Sequence, residues 1–445
     1  MRKLLLAAGL LAFLSFGSCT VSADSYASEI PLQAVGEDGA EYPWVTDGSY
    51  DTMELFSPGT VLHLTAREPG QTIWGLYLTW AAPPENWCLL ADGAPVAREE
   101  NHYLHQYAPI PEGAQSVSLV FPDGEALCYV KAYSRGLLPE DVQIWEPPCT
   151  QADVLLFPAH ADDEILFFGG VLAEYAGERG LSTQVVYFSE YYGVREHEKL
   201  DGLWACGVRN YPVNAPFPDV KPETPEEARE LFDVEQATAF LVEQLRRFRP
   251  QIVVGHDVDG EYGHETHKLV SWLLRTAVAC SMDENVYPDS AAVYGVWDVP
   301  KTYLHLWDEN PIRLNCRKPL DAFGGRTAVE AAALAYTKHV SQQWCWFYVS
   351  DDYEYSIADF GLYRTTVGPD TGNDMMENLT SYAQQRQQEM LKKAQKMVGQ
   401  LRSSLGAVPN PELSPLPTRL SLLALGKNAL SYLARECLGI ASALQ

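Results

Sequence analysis

The chain has 445 residues, 47% of them hydrophobic, with 59 acidic side chains against 32 basic ones and a formal charge of -27. That length asks for two or three domains, and that hydrophobic content is too high for a disordered chain. The acidic surface repels phosphate backbones, which argues against nucleic acid as a partner and against a membrane surface approached through charge.

At the N-terminus, Arg2 and Lys3 precede an apolar run from Leu4 to Phe16 and a group of small residues. This is the layout of a secretory signal peptide (residues 1–23), too short for a good membrane span. Two cleavage readings stay open. One follows Val21-Ser22-Ala23; the other reads Phe16-Gly17-Ser18-Cys19 as a bacterial lipobox, with lipid on Cys19 as the only membrane attachment. Either reading implies a secreted or surface-anchored bacterial protein. None of the nine cysteines has metal-ligand spacing. Export permits disulfides, and Cys88 with Cys128 is the expected pair because both fall in one domain.

Residues 24–149 predict an all-β sandwich or jelly roll. Val61 to Thr65, Ile73 to Leu78, Val117 to Phe121 and Leu127 to Val130 are short strand-like runs separated by Pro/Gly turn clusters. Trp80, Trp87 and Tyr103 are core residues on the bland reading and sugar-stacking residues on the sharp one. Pro139 to Pro148 reads as a linker.

From Asp153 the pattern changes to a Rossmann-like α/β domain (150–375) with a mostly parallel sheet. Val154 to Phe157 is an apolar run of the kind buried on both faces. A helix is predicted over about 164–176, a strand over 184–188, a helix over 196–206 and a long helix over 225–247. A third strand follows over 251–255, then a helix over 265–280. No GxGxxG follows the first strand, so a dinucleotide site and a dehydrogenase are unsupported. Residues 376–445 form a helical tail: a polar helix over 377–405, a break at Pro409, Pro411, Pro415 and Pro417, and an amphipathic helix over 419–444.

Two clusters carry the chemistry. His160-Ala161-Asp162-Asp163-Glu164 follows the first buried strand, and His256 to His267 follows the third. The C-terminal ends of parallel strands are where such sheets bind ligands, so both fall on one edge. His264 and His267, three apart, share a helix face. Two imidazoles and a carboxylate suit zinc and leave a position for water. A neighbouring carboxylate in the pair Asp162-Asp163 meets the need for a general base. Alone, each cluster reads as capping or as satisfied polar residues; their joint placement favours a metal site.

On these residues, the segment from Asp153 to about 375 resembles the PIG-L/LmbE-like N-acetylglucosaminyl deacetylases. The motifs stand here as His160-Ala161-Asp162-Asp163-Glu164 and Tyr262-Gly263-His264-Glu265-Thr266-His267. Ala161 replaces a commoner Pro. Thr266 replaces an Asp that orients neighbouring groups in many relatives, which puts that support in doubt here. The resemblance implies that His160, Asp163 and His267 bind Zn²⁺, or another divalent cation such as Fe²⁺. It implies Asp162 as general base and His264 as the residue facing the oxyanion. Arg195 (with Glu198 three residues on), Tyr262 and His339 would lie at the substrate. Asp257, Asp259 and Glu261 fall near the pocket or are solvated loop carboxylates; His197 and His305 match nothing.

The reading is a zinc-dependent hydrolase that removes an N-acetyl group from an N-acetylglucosamine-type sugar in an extracellular glycan or glycoconjugate. The N-terminal region resembles a galactose-binding-like sandwich that would tether such a substrate. A deacylase of another small N-acyl amine is one alternative. A non-catalytic secreted glycan-binding protein is another.

Overall fold

In the computed structural model, residues 25–190 and 193–406 are described. The signal-peptide segment with Cys19, the proline break and the amphipathic helix over 419–444 lie outside them.

The N-terminal region is two antiparallel five-stranded sheets. One orders Glu29–Ile30, Glu125–Tyr133, Ile73–Trp80 and His105–Ala114, with Glu54–Phe56 also on Glu125–Tyr133. The other orders Leu32–Gly36, Thr60–Ala66, Ser116–Phe121, Cys88–Ala91 and Ala94–Arg98. Strand alternation explains the packing. Leu62 and Leu64 point inward while His63 and Thr65 point out, and Val117, Leu119 and Phe121 repeat the pattern. They meet Leu76, Leu78 and Trp80 of the first sheet, where Trp80 sets its ring edge-on to Phe121.

Trp80 and Trp87 are 0% and 2% exposed, and Tyr103 is buried and stacks on Tyr211, so all three are core residues, as the bland reading had it. One expectation is corrected here. Cys88 and Cys128 stand on different sheets and are free thiols, as are the other described cysteines.

The α/β region is built on a seven-stranded sheet: β1 (Val154–Leu156), β2 (Thr183–Glu190), β3 (Val213–Pro218), β4 (Ile252–Gly255), β5 (Lys301–His305), β6 (Pro311–Arg313) and β7 (Asp359–Thr365), ordered β3-β2-β1-β4-β5-β7-β6. The first five in that order are parallel; β7 and β6 are antiparallel additions. β1, β4 and β5 are buried along their whole length, as the apolar runs of β1 and β4 require when helices cover both faces. The chain steps outward in opposite directions from β1 and β4, so the crevice between their C-terminal ends is the switch point of the sheet.

The expected elements recur with several differences, and β5, β6 and β7 are strands that the sequence reading did not anticipate. The helix after β1 is broken into Asp163–Leu166, Gly169–Val171 and a π-helical Leu172–Glu178. The long helix over 225–247 is two helices, Pro225–Leu231 and Val234–Phe248, because Asp233 caps the second by accepting the Gln236 N–H. β3 was not anticipated; its Val-Asn-Ala-Pro-Phe-Pro sequence is tolerated because it is an edge strand. The segment from Pro139 to Pro148 is not a loose linker, since Val142, Gln143 and Trp145 are buried. Trp145 donates to Gln143, and Gln143 donates to Asp201 of the helix Val194–Ala205.

The β-rich and α/β regions thus form one unit up to Tyr382. The helix Tyr382–Gly406 falls almost wholly in a second unit and begins five residues later than expected.

Candidate metal centre

His160 lies just beyond β1 and His267 in the first turn of the helix Glu265–Cys280 that follows β4. The two elements bring residues 107 apart in sequence to within bonding distance. His160 Nδ1 is 3.1 Å from Asp163 Oδ2 and 3.2 Å from His267 Nε2, and His267 Nε2 is 3.3 Å from Asp163 Oδ2. Donors around a tetrahedral cation with bonds of about 2.0–2.1 Å sit about 3.3 Å apart. The triangle fits that spacing, and all three side chains are buried.

Tautomers sort the neighbouring imidazoles, because each ring nitrogen must match its partner. His267 Nδ1 lies 2.7 Å from Glu261 Oε2, so it carries the proton and leaves the Nε2 lone pair for a cation. His256 Nδ1 also faces Glu261, at 2.7 Å, while its Nε2 accepts the Ala159 N–H at 2.9 Å. Although His256 groups with Asp163 and His267 by distance, its lone pair is occupied. His264 groups with His160 and His267 in the same way. Its Nδ1 accepts the Thr266 N–H at 3.2 Å, so a neutral ring carries its proton on Nε2. It is a donor toward the pocket and not a ligand.

The electrostatics favour a cation. Burial alone would raise Asp163 and lower His267. Instead, the His267 and His160 charges and hydrogen bonds hold the Asp163 carboxyl well below its ordinary value. The Asp163 charge, with hydrogen bonds to Asp163 and Glu261, pushes His267 up to about 10. That proton competes with a metal ion for the His267 Nε2 lone pair, so metal binding there would release it. His264 goes the other way: burial and the two neighbouring imidazoles push it down to about 2. The neutral ring is therefore the favoured form.

Asp162 stands beside this triangle with a left-handed φ of 115°, a strained conformation that aims the carboxylate away from the helix it caps. Burial, reinforced by the Asp163 charge, pushes it up to about 8. Its Oδ1 lies 3.5 Å from Arg195 Nη2. Arg195 also bonds the Ala161 carbonyl and, at 2.8 Å, Asp219. Asp219 in turn lies 3.9 Å from His160 Nε2. Tyr262, at a φ of 47° and 39% exposed, sets its ring 5.5 Å from those of His264 and His267.

His339 is placed one layer back. It is fully buried and bonds Glu164 Oε1 at 2.8 Å, while Glu164 Oε2 accepts the Asp162 N–H. Glu198 likewise faces away from the pocket, onto Ser341.

Glu261 was named only as a carboxylate near the pocket; it organises the whole second layer. Fully buried, it accepts from His256, His267, His305 and the Asp257 N–H. Burial would raise it, yet His256 and the three imidazole hydrogen bonds hold it well below its ordinary value. His305, at the end of β5, is fixed on its far side by the Ser356 carbonyl at 2.9 Å. Metal-ligating histidines characteristically give their other N–H to such a carboxylate. Thr266, where an Asp was the commoner residue, is fully buried with no hydrogen-bond partner for its hydroxyl among the described residues. Glu261 thus supplies the orientation that Thr266 cannot.

Fold and site define an open α/β domain with a His/Asp cluster at its switch point that could hold a metal ion. Residues 155–278 match the family model PIG-L: GlcNAc-PI de-N-acetylase. The chain is 28% identical over 189 residues to 1D-myo-inositol 2-acetamido-2-deoxy-alpha-D-glucopyranoside deacetylase 1 of Catenulispora acidiphila, covering 35% of this chain and 56% of that protein. It is 35% identical over 164 residues to mycothiol S-conjugate amidase of Streptomyces coelicolor, covering 32% and 56%. The match therefore spans just over half the length of these curated relatives. Among solved structures, N,N'-diacetylchitobiose deacetylase from Pyrococcus horikoshii is similar at 18% identity with a TM-score of 0.34, covering 43% of this chain and 71% of that one.

Proposed function

We propose that this chain is a metal-dependent hydrolase that removes the N-acetyl group of an N-acetylglucosamine-type sugar. The observation that carries the reading is the triangle of His160 Nδ1, Asp163 Oδ2 and His267 Nε2, with the Asp162 carboxylate and a neutral His264 beside it. The de-N-acetylase model matched by the same residues supports it.

His160, Asp163 and His267 would hold the cation, Zn²⁺ or Fe²⁺. Such an ion supplies Lewis acidity to an acyl oxygen and acidifies water. Asp162 takes a proton from the attacking water, the role of a carboxylate that stands beside the cation-holding groups without being one of them. The Nε2–H of His264 meets the charge that develops on the acyl oxygen, a donor fixed before the reaction begins. Asp162 then returns its proton to the nitrogen as the C–N bond breaks, giving acetate and a free amine. Arg195 keeps Asp162 and the Ala161 carbonyl in register through these transfers.

A second reading keeps this chemistry and changes the substrate to another small N-acyl amine, and the similarity to a mycothiol S-conjugate amidase favours it. A glycan-binding protein without activity would have no use for Asp162 and His264 beside an intact triangle. Export, with or without lipid on Cys19, belongs to the same proposal and is tested by mass spectrometry of the mature N-terminus.

The deciding experiment measures acetate released from N-acetylated amino sugars and from other N-acyl amines, before and after chelation and metal restoration. Release from the sugars that chelator abolishes and Zn²⁺ or Fe²⁺ restores supports the proposal. Failure of the metal-restored protein on every N-acetyl sugar overturns it.

A further inference from the structure

The peptide group between Ala161 and Asp162 is held at both ends. Its oxygen accepts from Arg195 Nη2, and its N–H donates to Glu164 Oε2 at 2.8 Å. On the next peptide, the Asp162 carbonyl accepts the N–H groups of Ile165 and Leu166, both at 3.0 Å. Between these two fixed planes sits the left-handed φ of 115°. A residue other than glycine keeps such a backbone only where its surroundings over-determine it.

The two holders are tied to each other. Glu164 is fully buried, and its other oxygen, Oε1, lies 2.8 Å from Nε2 of the equally buried His339. His339 Nδ1 has no hydrogen-bond partner among the described residues. Packing alone would favour an apolar side chain there; an imidazole buried with one nitrogen idle is kept for the bond that the other makes. Two residues on, Ser341 gives both its backbone N–H and its hydroxyl to Glu198, each at 2.6 Å. Glu198 lies one turn from Arg195 on the helix Val194–Ala205. The path therefore closes, from the Ala161 oxygen through Arg195 and its helix to Ser341, His339 and Glu164, and back to the Asp162 N–H. It joins residues 175 apart in sequence at Glu164 and His339.

We propose that Glu164 and His339 are positioning residues, a clamp that sets the direction of the Asp162 carboxylate by fixing the peptide before it. Both act through Asp162. The proposal rests on the deacetylase reading for the use that Asp162 makes of its carboxylate, while the clamp itself is a property of the backbone. A base moved off its line slows the reaction and leaves binding alone, and a misplacement of about 1 Å can cost about 10²-fold in rate.

Three substitutions test it in the full chain. His339→Gln puts a donor where Nε2 stands. His339→Asn is shorter, puts its donor where Nδ1 stands and leaves Glu164 Oε1 without one. His339→Leu removes the donor altogether. With metal restored and circular dichroism confirming the fold, the Asn and Leu variants should lose roughly 10–100-fold in kcat on an N-acetyl amino sugar, at unchanged KM and metal content. The Gln variant should keep most of the rate. Hydrogen exchange, read by mass spectrometry on the peptide that spans Asp162, should be slow in wild type and in the Gln variant and faster in the other two. Wild-type kcat in a folded Asn or Leu variant, or a Gln variant no better than Asn, overturns the clamp. So does a rise in KM alone, which would put His339 at the substrate. If the metal-restored wild type releases no acetate from any N-acetyl sugar, the deacetylase reading falls and exchange at Asp162 decides the clamp by itself: equal exchange in wild type and His339→Leu overturns it.

Discussion

His105, at the start of the strand His105–Ala114, and His197, on the helix that carries Arg195, share a hydrogen bond of 2.9 Å between Nε2 and Nδ1 with their rings nearly parallel. Tyr50 stacks on His197 at 4.4 Å and gives its hydroxyl to Asp201, one turn further along the same helix. Gln143 bonds both His105 and Asp201. The β-rich region therefore grips the helix whose first turn steadies Asp162. It is part of the frame of the site, where a tethered module would have left that helix alone.

This junction has a pH signature. Burial pushes the Asp201 carboxyl up to about 6, against the lowering influence of the Tyr50 hydroxyl. A folded-state value above the unfolded value of about 3.9 means that the native state binds this proton more tightly. The contribution is stabilising below about pH 4 and is lost as pH rises to about 6. It amounts to about 3 kcal/mol as an upper bound. His105 and His197, whose values burial lowers, act in the opposite direction in any variant that keeps them. The expected outcome is that wild type minus Asp201→Asn, measured by urea unfolding at several pH values, declines between about pH 4 and 6 and is flat above 7. A flat difference throughout would show that Asp201 is ionised at no cost.

Glu261 should set metal affinity without touching the metal. Replacing it by Gln leaves one acceptor oxygen for three imidazole N–H groups and turns an amide N–H against one of them. Each buried donor left unpaired costs roughly 1–3 kcal/mol, and lost support of a ligating histidine typically weakens metal binding by about 10–100-fold. Competition titration with a zinc-responsive dye should find that loss in Glu261→Gln, together with a lower Tm. Wild-type affinity in a folded Glu261→Gln protein would refute the orienting role.

Much of this candidate site was legible from the chain because the residues that converge on it announce themselves locally. His160 and Asp163 flank one strand end, and His267 opens a helix at another, so a parallel sheet had to bring them together. The helix Glu265–Cys280 was readable to the residue, since a polar cluster stops where an apolar period begins. The second layer was not readable. His256, Glu261 and His305 come from the ends of β4 and β5 and the turn between, and β5 was not recognised because Lys301-Thr302-Tyr303-Leu304-His305 is half polar. Lys301 is buried there against Asp370, a pairing 69 residues away that no local pattern reveals. The junction at His105 and His197 was hidden for the same reason. Each is an isolated histidine until the fold stacks them.

Asp162→Asn isolates the base. Asparagine tolerates a left-handed backbone better than most residues, so the strained turn should survive. The amide cannot take the proton from water. The expected result is full metal content by atomic absorption and a fall of about 10²–10⁴ in kcat, the usual worth of a general base. Loss of metal along with rate would instead make Asp162 a ligand.

The two histidines of the helix start can be told apart by what each loses. His264 and His267 are neighbours at 4.6 Å between ring centres, and by distance alone both group with His160. Their hydrogen-bond partners separate them. The Thr266 N–H occupies the Nδ1 lone pair of His264 and leaves a proton on Nε2, whereas Glu261 takes the Nδ1 proton of His267 and leaves its Nε2 bare. His264→Gln should therefore keep one equivalent of metal and lose rate by about 10²–10³, as removal of one oxyanion donor does. His267→Gln should lose the metal itself, and activity should recover only partly at high added Zn²⁺. If His264→Gln instead comes out of purification without metal and His267→Gln with it, the hydrogen-bond partners assign the wrong ring to the cation, and the roles of the two residues exchange.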